Sequence, residues 1–147
     1  MKKIINWLGK HALYLSFAVA MTATVGSLFF SEVLNLPPCS LCWYQRVFIY
    51  PLFPILLVGI LRRDHKVHYY VWSLIIPGFL ISAFHVLLYW GIVPEALGPC
   101  VAGVSCTTRF FEWFGFVDIP LLSFGTFVTL IALMAAYTRH HKINLPS

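Results

Sequence analysis

Four apolar runs, each long enough to cross a bilayer, constrain this chain more than any other feature it has. Residues 12–30 and 119–138 carry no charge, 43–61 carry Arg46 alone, and 69–90 carry no formal charge and one histidine, His85. About 20 helical residues, rising 1.5 Å each, span a hydrocarbon core of ~30 Å, so each run predicts one transmembrane helix. Only 10% of the residues are charged and 60% are hydrophobic, whereas soluble domains average about 25% charged. A water-soluble globule is thereby excluded. With 147 residues there is no room for two sizeable domains, and the expected fold is one all-α membrane domain over 1–147, a four-transmembrane-helix bundle. Pro51 and Pro54 in the second run are tolerable, because neighbouring helices satisfy the backbone groups that a membrane proline frees. Asp118 is the expected N-cap of the fourth helix, with Pro120 in its first turn.

Charge placement sets the expected orientation. The net charge of +5 is not a block of the kind that binds nucleic acid, so no nucleic-acid partner is expected. Lys2, Lys3, Lys10, Arg62, Arg63, Lys66, Arg139 and Lys142 all fall on one side of a four-span chain, while the other side receives Arg109, with Arg46 at its edge. The positive-inside rule then puts both termini and the loop 62–68 in the cytoplasm, and loops 31–42 and 91–118 outside. Lys2, Lys3 and Ala18-Val19-Ala20 faintly resemble a signal peptide, but the first run exceeds an h-region of ~7–15 residues and reads as an anchor. In the second outer loop, Thr107 to Val117 holds Phe110, Phe111, Trp113, Phe114 and Phe116 beside Arg109 and Glu112, a candidate short interfacial helix. His65 and His68, at i and i+3, have a spacing that can bind a metal, yet in a basic loop they read as solvated. His140 and His141, beside Arg139 and Lys142, read as part of the basic flank.

All four cysteines lie in the two outer loops: Cys39 and Cys42 in the first, Cys100 and Cys106 in the second. An even number of thiols confined to an oxidising side points to disulfide chemistry, and proximity favours Cys39 with Cys42 and Cys100 with Cys106 among the three pairings. Cys39-Ser40-Leu41-Cys42 opens the second span, where free N–H groups and the helix dipole favour a thiolate, the form that attacks a disulfide. As a staple so short a ring constrains the unfolded chain little, and a zinc site would need thiols from distant loops in an unusual spacing. Arg46, four residues after Cys42, lies one turn deeper on the same face, where it either snorkels to the headgroups or sets a cation beneath the Cys42 sulfur and beside a bound electron acceptor. His85 reads either as a satisfied bundle residue or, at a depth like that of Arg46, as the second flank of one pocket.

These residues together resemble the DsbB/BdbC family of disulfide bond formation proteins: the four spans, Cys39-Ser40-Leu41-Cys42-Trp43-Tyr44-Gln45-Arg46, His85, and the second cysteine pair. Glu32, Pro38 and Trp113-Phe114-Gly115-Phe116 with Ile119-Pro120 look most like the BdbC branch of Gram-positive bacteria. The resemblance implies a thiol:quinone oxidoreductase of the bacterial cell membrane that reoxidises an extracytoplasmic thioredoxin-like disulfide donor and passes the electrons to menaquinone or ubiquinone. Carried over to this chain, Cys100 receives the partner's thiolate and Cys106 is its disulfide mate. Cys39 and Cys42 then take the electrons, and Cys42 faces the quinone, with Arg46 and His85 beside the same site. The energetics agree, since a donor near about −120 mV cannot be recharged by glutathione near about −220 mV, a gap of about 4.7 kcal/mol for two electrons. A vitamin K epoxide reductase-like enzyme is the nearest alternative, but there the C-x-x-C follows the loop pair. A disulfide-stapled membrane scaffold is the alternative of another class, and it leaves Arg46 without a chemical role.

Overall fold

The computed structural model describes residues 2–94, 98, 106 and 119–144. Four helices make up the described chain, α1 (Lys2–Leu28), α2 (Ser40–Arg62), α3 (Val67–Tyr89) and α4 (Ile119–Asn144), and α1 runs on into a π-helical turn, Phe29–Val33. No strand occurs among the described residues. Each helix contains a segment long and apolar enough to cross a membrane, so the fold is the all-α, four-span class that the apolar runs predict. The helices run past the expected spans at most ends. Ends of apolar runs mark where charge begins, whereas a helix continues until a backbone signal stops it. Asp118 and the segment Thr107 to Val117 lie outside the described residues.

Two left-handed residues mark such stops. Asn35 (φ 51°) follows the π turn, ahead of Pro37-Pro38, and Arg63 (φ 51°) closes α2 by donating its N–H to the carbonyls of Gly59 and Ile60. Residues 63–66 then join α2 to α3 directly, which makes these helices antiparallel neighbours. Around the bundle α1 packs on α2, α2 on α3, α3 on α4 and α4 on α1. The end of α1, the start of α2, the end of α3 and the start of α4 consequently meet at one end, which holds all the described cysteines.

The packing is that of a protein solvated by lipid. Large apolar side chains such as Tyr14, Val25, Val47, Leu61 and Leu80 point outward, while the polar Ser16, Gln45, Ser82 and His85 are buried between the helices. Leu52, Leu56, Ile75, Phe127, Leu130 and Met134 form the apolar centre. Gly78 permits a close approach of α3 and α4, because a Cβ there would collide with the Phe127 ring. Small residues let membrane helices approach where hydrophobicity alone gives no drive to associate. Pro51, Pro54 and Pro77 sit inside helices that continue through them.

Candidate active site

Cys39 is the N-cap of α2. Its backbone is extended (φ −68°, ψ 167°), and its sulfur accepts the Cys42 N–H at 3.3 Å, the position a serine or aspartate oxygen takes at an ordinary N-cap. Pro37-Pro38 deliver the chain in the extended form that this geometry requires. Three residues on, the Cys42 sulfur sits 2.8 Å from that of Cys39, and both are free thiols. The expected proximity of the pair is therefore present as a dithiol. The helix N–H is aimed at Cys39, the first sulfur of the motif. The Cys39 thiol is held well below its ordinary value of 9.0, first by the hydrogen bond from Cys42 and then by His85, against the opposing effect of burial.

His85, near the end of α3, joins the two cysteine loops. It is 1% exposed. Its Nε2 lies 3.8 Å from the Cys39 sulfur and 3.4 Å from the Cys106 carbonyl oxygen, and its Nδ1 lies 3.1 Å from Gln45 Nε2. The partners fix the tautomer: a carbonyl only accepts, so Nε2 carries the proton, and the Gln45 amide nitrogen only donates, so Nδ1 accepts. The imidazole is thus held with an N–H directed at Cys39 and the Cys106 backbone. Cys106 is disulfide-bonded and 4% exposed, and the ligand atoms of Cys39, His85 and Cys106 all lie within 4.8 Å of one another. Such a cluster has the shape of a metal site, but a sulfur already in a disulfide supplies no thiolate ligand. Cys100 lies outside the described residues.

A cavity of about 560 Å³ opens beside this junction. Cys42, Arg46 and His85 border it, together with apolar groups such as Ala23 and Phe30 of the first helical segment and Pro120 and Leu122 of α4. Arg46 reaches across to α1, donating to the Ser27 carbonyl at 3.1 Å while its guanidinium lies 5.6 Å from the centre of the Trp43 ring. Tyr50, one turn further along α2, donates to the Ser27 hydroxyl at 3.3 Å. These contacts hold the cation inside the bundle at the cavity wall, which a snorkelling side chain would not need. Size, apolar walls and one fixed cation suit a flat lipid-soluble ring with carbonyl oxygens.

The structure thus gathers Cys39, Cys42, Arg46, His85 and Cys106 at one end of the bundle. Gln45 belongs with them and had no role in the sequence reading. An uncharged amide in an apolar span, one turn below Cys42, was the signal, since polar groups at membrane depth need a partner.

Helices of this kind, with a free C-x-x-C dithiol packed against a disulfide sulfur, define a membrane protein of thiol–disulfide exchange. The family model described as "Disulfide bond formation protein DsbB" matches residues 9–137. The chain belongs to the DsbB family, and membership implies a disulfide oxidoreductase. It is 42% identical over 122 residues to disulfide bond formation protein C of Bacillus subtilis, covering 83% of this chain and 88% of that one. It is 38% identical over 130 residues to probable disulfide formation protein C 2 of Bacillus cereus, covering 88% and 93%. A probable disulfide formation protein C of Halalkalibacterium halodurans is 42% identical over 115 residues, covering 78% and 84%. No solved structure matches the chain.

Proposed function

We propose that this protein is a thiol:quinone oxidoreductase of the bacterial cell membrane, which reoxidises an extracytoplasmic thioredoxin-like dithiol with both termini in the cytoplasm. The observation that carries the reading is the placement of Cys39 between the Cys106 sulfur, within 4.8 Å, and Cys42, which borders the cavity with Arg46. A quinone bound there supplies a two-electron, two-proton acceptor.

In the cycle that follows, a partner thiolate attacks Cys100, the Cys100–Cys106 bond breaks, and Cys106 leaves as a thiolate. Cys106 then attacks Cys39 of an oxidised Cys39–Cys42 pair, and Cys42 is released as the thiolate facing the cavity. The partner's second thiol displaces Cys100, which completes the partner's disulfide. Cys100 in turn displaces Cys106 from Cys39, restoring the loop disulfide and leaving Cys39 and Cys42 carrying the two electrons. That final arrangement matches the described state, with Cys39 and Cys42 free and Cys106 bonded. His85 helps hold the charge that each exchange places on Cys39. Arg46 presents a fixed positive charge to a carbonyl oxygen at the cavity wall.

The test is turnover in detergent with a reduced thioredoxin-like protein and a short-chain quinone, followed by loss of quinone absorbance. Cys106→Ala should trap the partner as a mixed disulfide through Cys100. Trapping through Cys39 in that variant, or turnover that survives Cys39→Ala, overturns the proposed order.

A further inference from the structure

At the end of the bundle opposite the cysteines, three histidines from different parts of the chain converge. His65 comes from the α2–α3 loop, His68 from the first turn of α3, and His141 from the last turn of α4. The His65 and His141 ring centres are 5.2 Å apart and those of His68 and His141 6.1 Å, with the Tyr137 ring 6.0 Å from His141. Spacing in the sequence linked only His65 and His68, so the third imidazole is something the fold contributes.

We propose that His65, His68 and His141 form a binding site for one divalent transition metal ion of the zinc class, tying the α2–α3 loop to the end of α4. Two imidazoles sharing a tetrahedral ion at Zn–N ≈ 2.0–2.1 Å have ring centres roughly 5 Å apart. The His65–His141 ring spacing is of this size, and rotation of the three side chains, with about an ångström of closure by His68, would turn a nitrogen of each toward one ion.

The hydrogen bonding prepares two of the rings. His68 Nδ1 is 2.8 Å from the His65 carbonyl oxygen, which fixes its proton on Nδ1 and leaves Nε2 with a free lone pair. Metal-bound histidines are commonly oriented by such a backbone carbonyl. His141 Nε2 is buried with no hydrogen-bond partner, the one such side-chain atom among the described residues. Buried polar nitrogens are rarely left so, and an ion between the rings satisfies it. Arg62, Arg63, Lys66, Arg139 and Lys142 flank the three histidines in the sequence and oppose a cation, with Asp64 the one carboxylate among the described residues at this end. Neutral imidazoles bind soft or borderline ions through covalent donation, so that repulsion weakens the site without abolishing it.

The test uses the full chain, purified without a polyhistidine tag and oxidised with diamide so that Cys39 and Cys42 do not compete, titrated with Co²⁺ and followed by visible d–d absorption. One equivalent should bind and be displaced by Zn²⁺. His68→Gln and His141→Gln should each weaken binding at least tenfold, and His11→Gln, on α1, should leave it unchanged. Binding indifferent to His68→Gln and His141→Gln overturns the proposal, as does the absence of a saturable equivalent. Should a variant fail to fold, Cu²⁺ electron paramagnetic resonance on the unaltered chain decides: nitrogen superhyperfine splitting from at least two imidazoles supports the site, and an all-oxygen signal overturns it.

Discussion

Replacing Cys42 with alanine removes the hydrogen bond that contributes most to holding the Cys39 thiol low, while leaving Cys39 at its N-cap. A hydrogen bond to a charged group is worth about 1.5–3 kcal/mol, and 1.36 kcal/mol corresponds to one pKa unit. Alkylation of Cys39 in the reduced protein should therefore reach half its maximal rate about one to two pH units higher in Cys42→Ala than in the unaltered chain. Iodoacetamide is small enough to enter through the cavity that Cys39 borders, and mass spectrometry of the labelled peptide follows the rate between about pH 4 and pH 10. His85→Ala should move the same midpoint upward as well, because its interaction with the sulfur also holds the thiol low. The linkage has a definite sign. A folded value below the unfolded one stabilises the reduced protein fully above about pH 9, and that stabilisation is lost as pH falls through the folded value. Reduced protein should accordingly unfold more easily in mild acid than at pH 9, and the oxidised pair should lack this contribution. A midpoint near 9.0 in the unaltered chain, or one unmoved by Cys42→Ala, refutes the assignment of the thiolate to Cys39.

Gln45→Leu strips His85 Nδ1 of its partner, so kcat should fall about tenfold, equivalent to ~1.4 kcal/mol, with the quinone KM unchanged; an unchanged kcat removes Gln45 from the site. Arg46→Ala should raise the quinone KM about tenfold, and Arg46→Lys should restore it only in part, because an ammonium lacks the fork that reaches the Ser27 carbonyl and a second acceptor together; an unaltered KM in Arg46→Ala returns that residue to anchoring. Gly78→Leu forces α3 from Phe127 and should destabilise the bundle by about 1–3 kcal/mol, read as earlier thermal loss of helical circular dichroism in detergent, and an unshifted transition counts against close packing there. A single cysteine retained at position 39 or 100 should react with an impermeant thiol reagent outside intact cells, and labelling only after the cytoplasmic face is opened reverses the proposed topology.

The helices were legible because lipid imposes a rule with few exceptions: an apolar run must hydrogen-bond its own backbone, and only a helix does so alone. Cys39 and Cys42 were legible for a related reason, since local spacing puts both at one helix start. What spacing cannot convey is which helix faces which. His85 stands 46 residues from Cys39 and 40 from Gln45, and no periodicity links them; only the α2–α3 contact does. The same limit hid the third histidine of the opposite cluster, because His141 meets His65 and His68 only when α4 closes against α3.

That a thiolate is favoured at the start of α2 was legible, but not which of the two sulfurs receives the helix N–H. A helix N-terminus favours an anion, but its N–H groups point back toward the N-cap, so the first cysteine of the motif receives them. In the proposed cycle this divides the work between the two thiols. Cys39, stabilised as an anion by the helix end and His85, is the better leaving group when Cys106 is to be released, since a lower thiol pKa leaves faster. Cys42, freed from that hydrogen bond whenever Cys39 is in a disulfide with the second loop, is left facing Arg46 and the cavity. Reversing the motif's roles would aim the helix N–H at the sulfur that must donate its electrons and lower its nucleophilicity, which is a physical reason for the first cysteine to meet the loop and the second the acceptor.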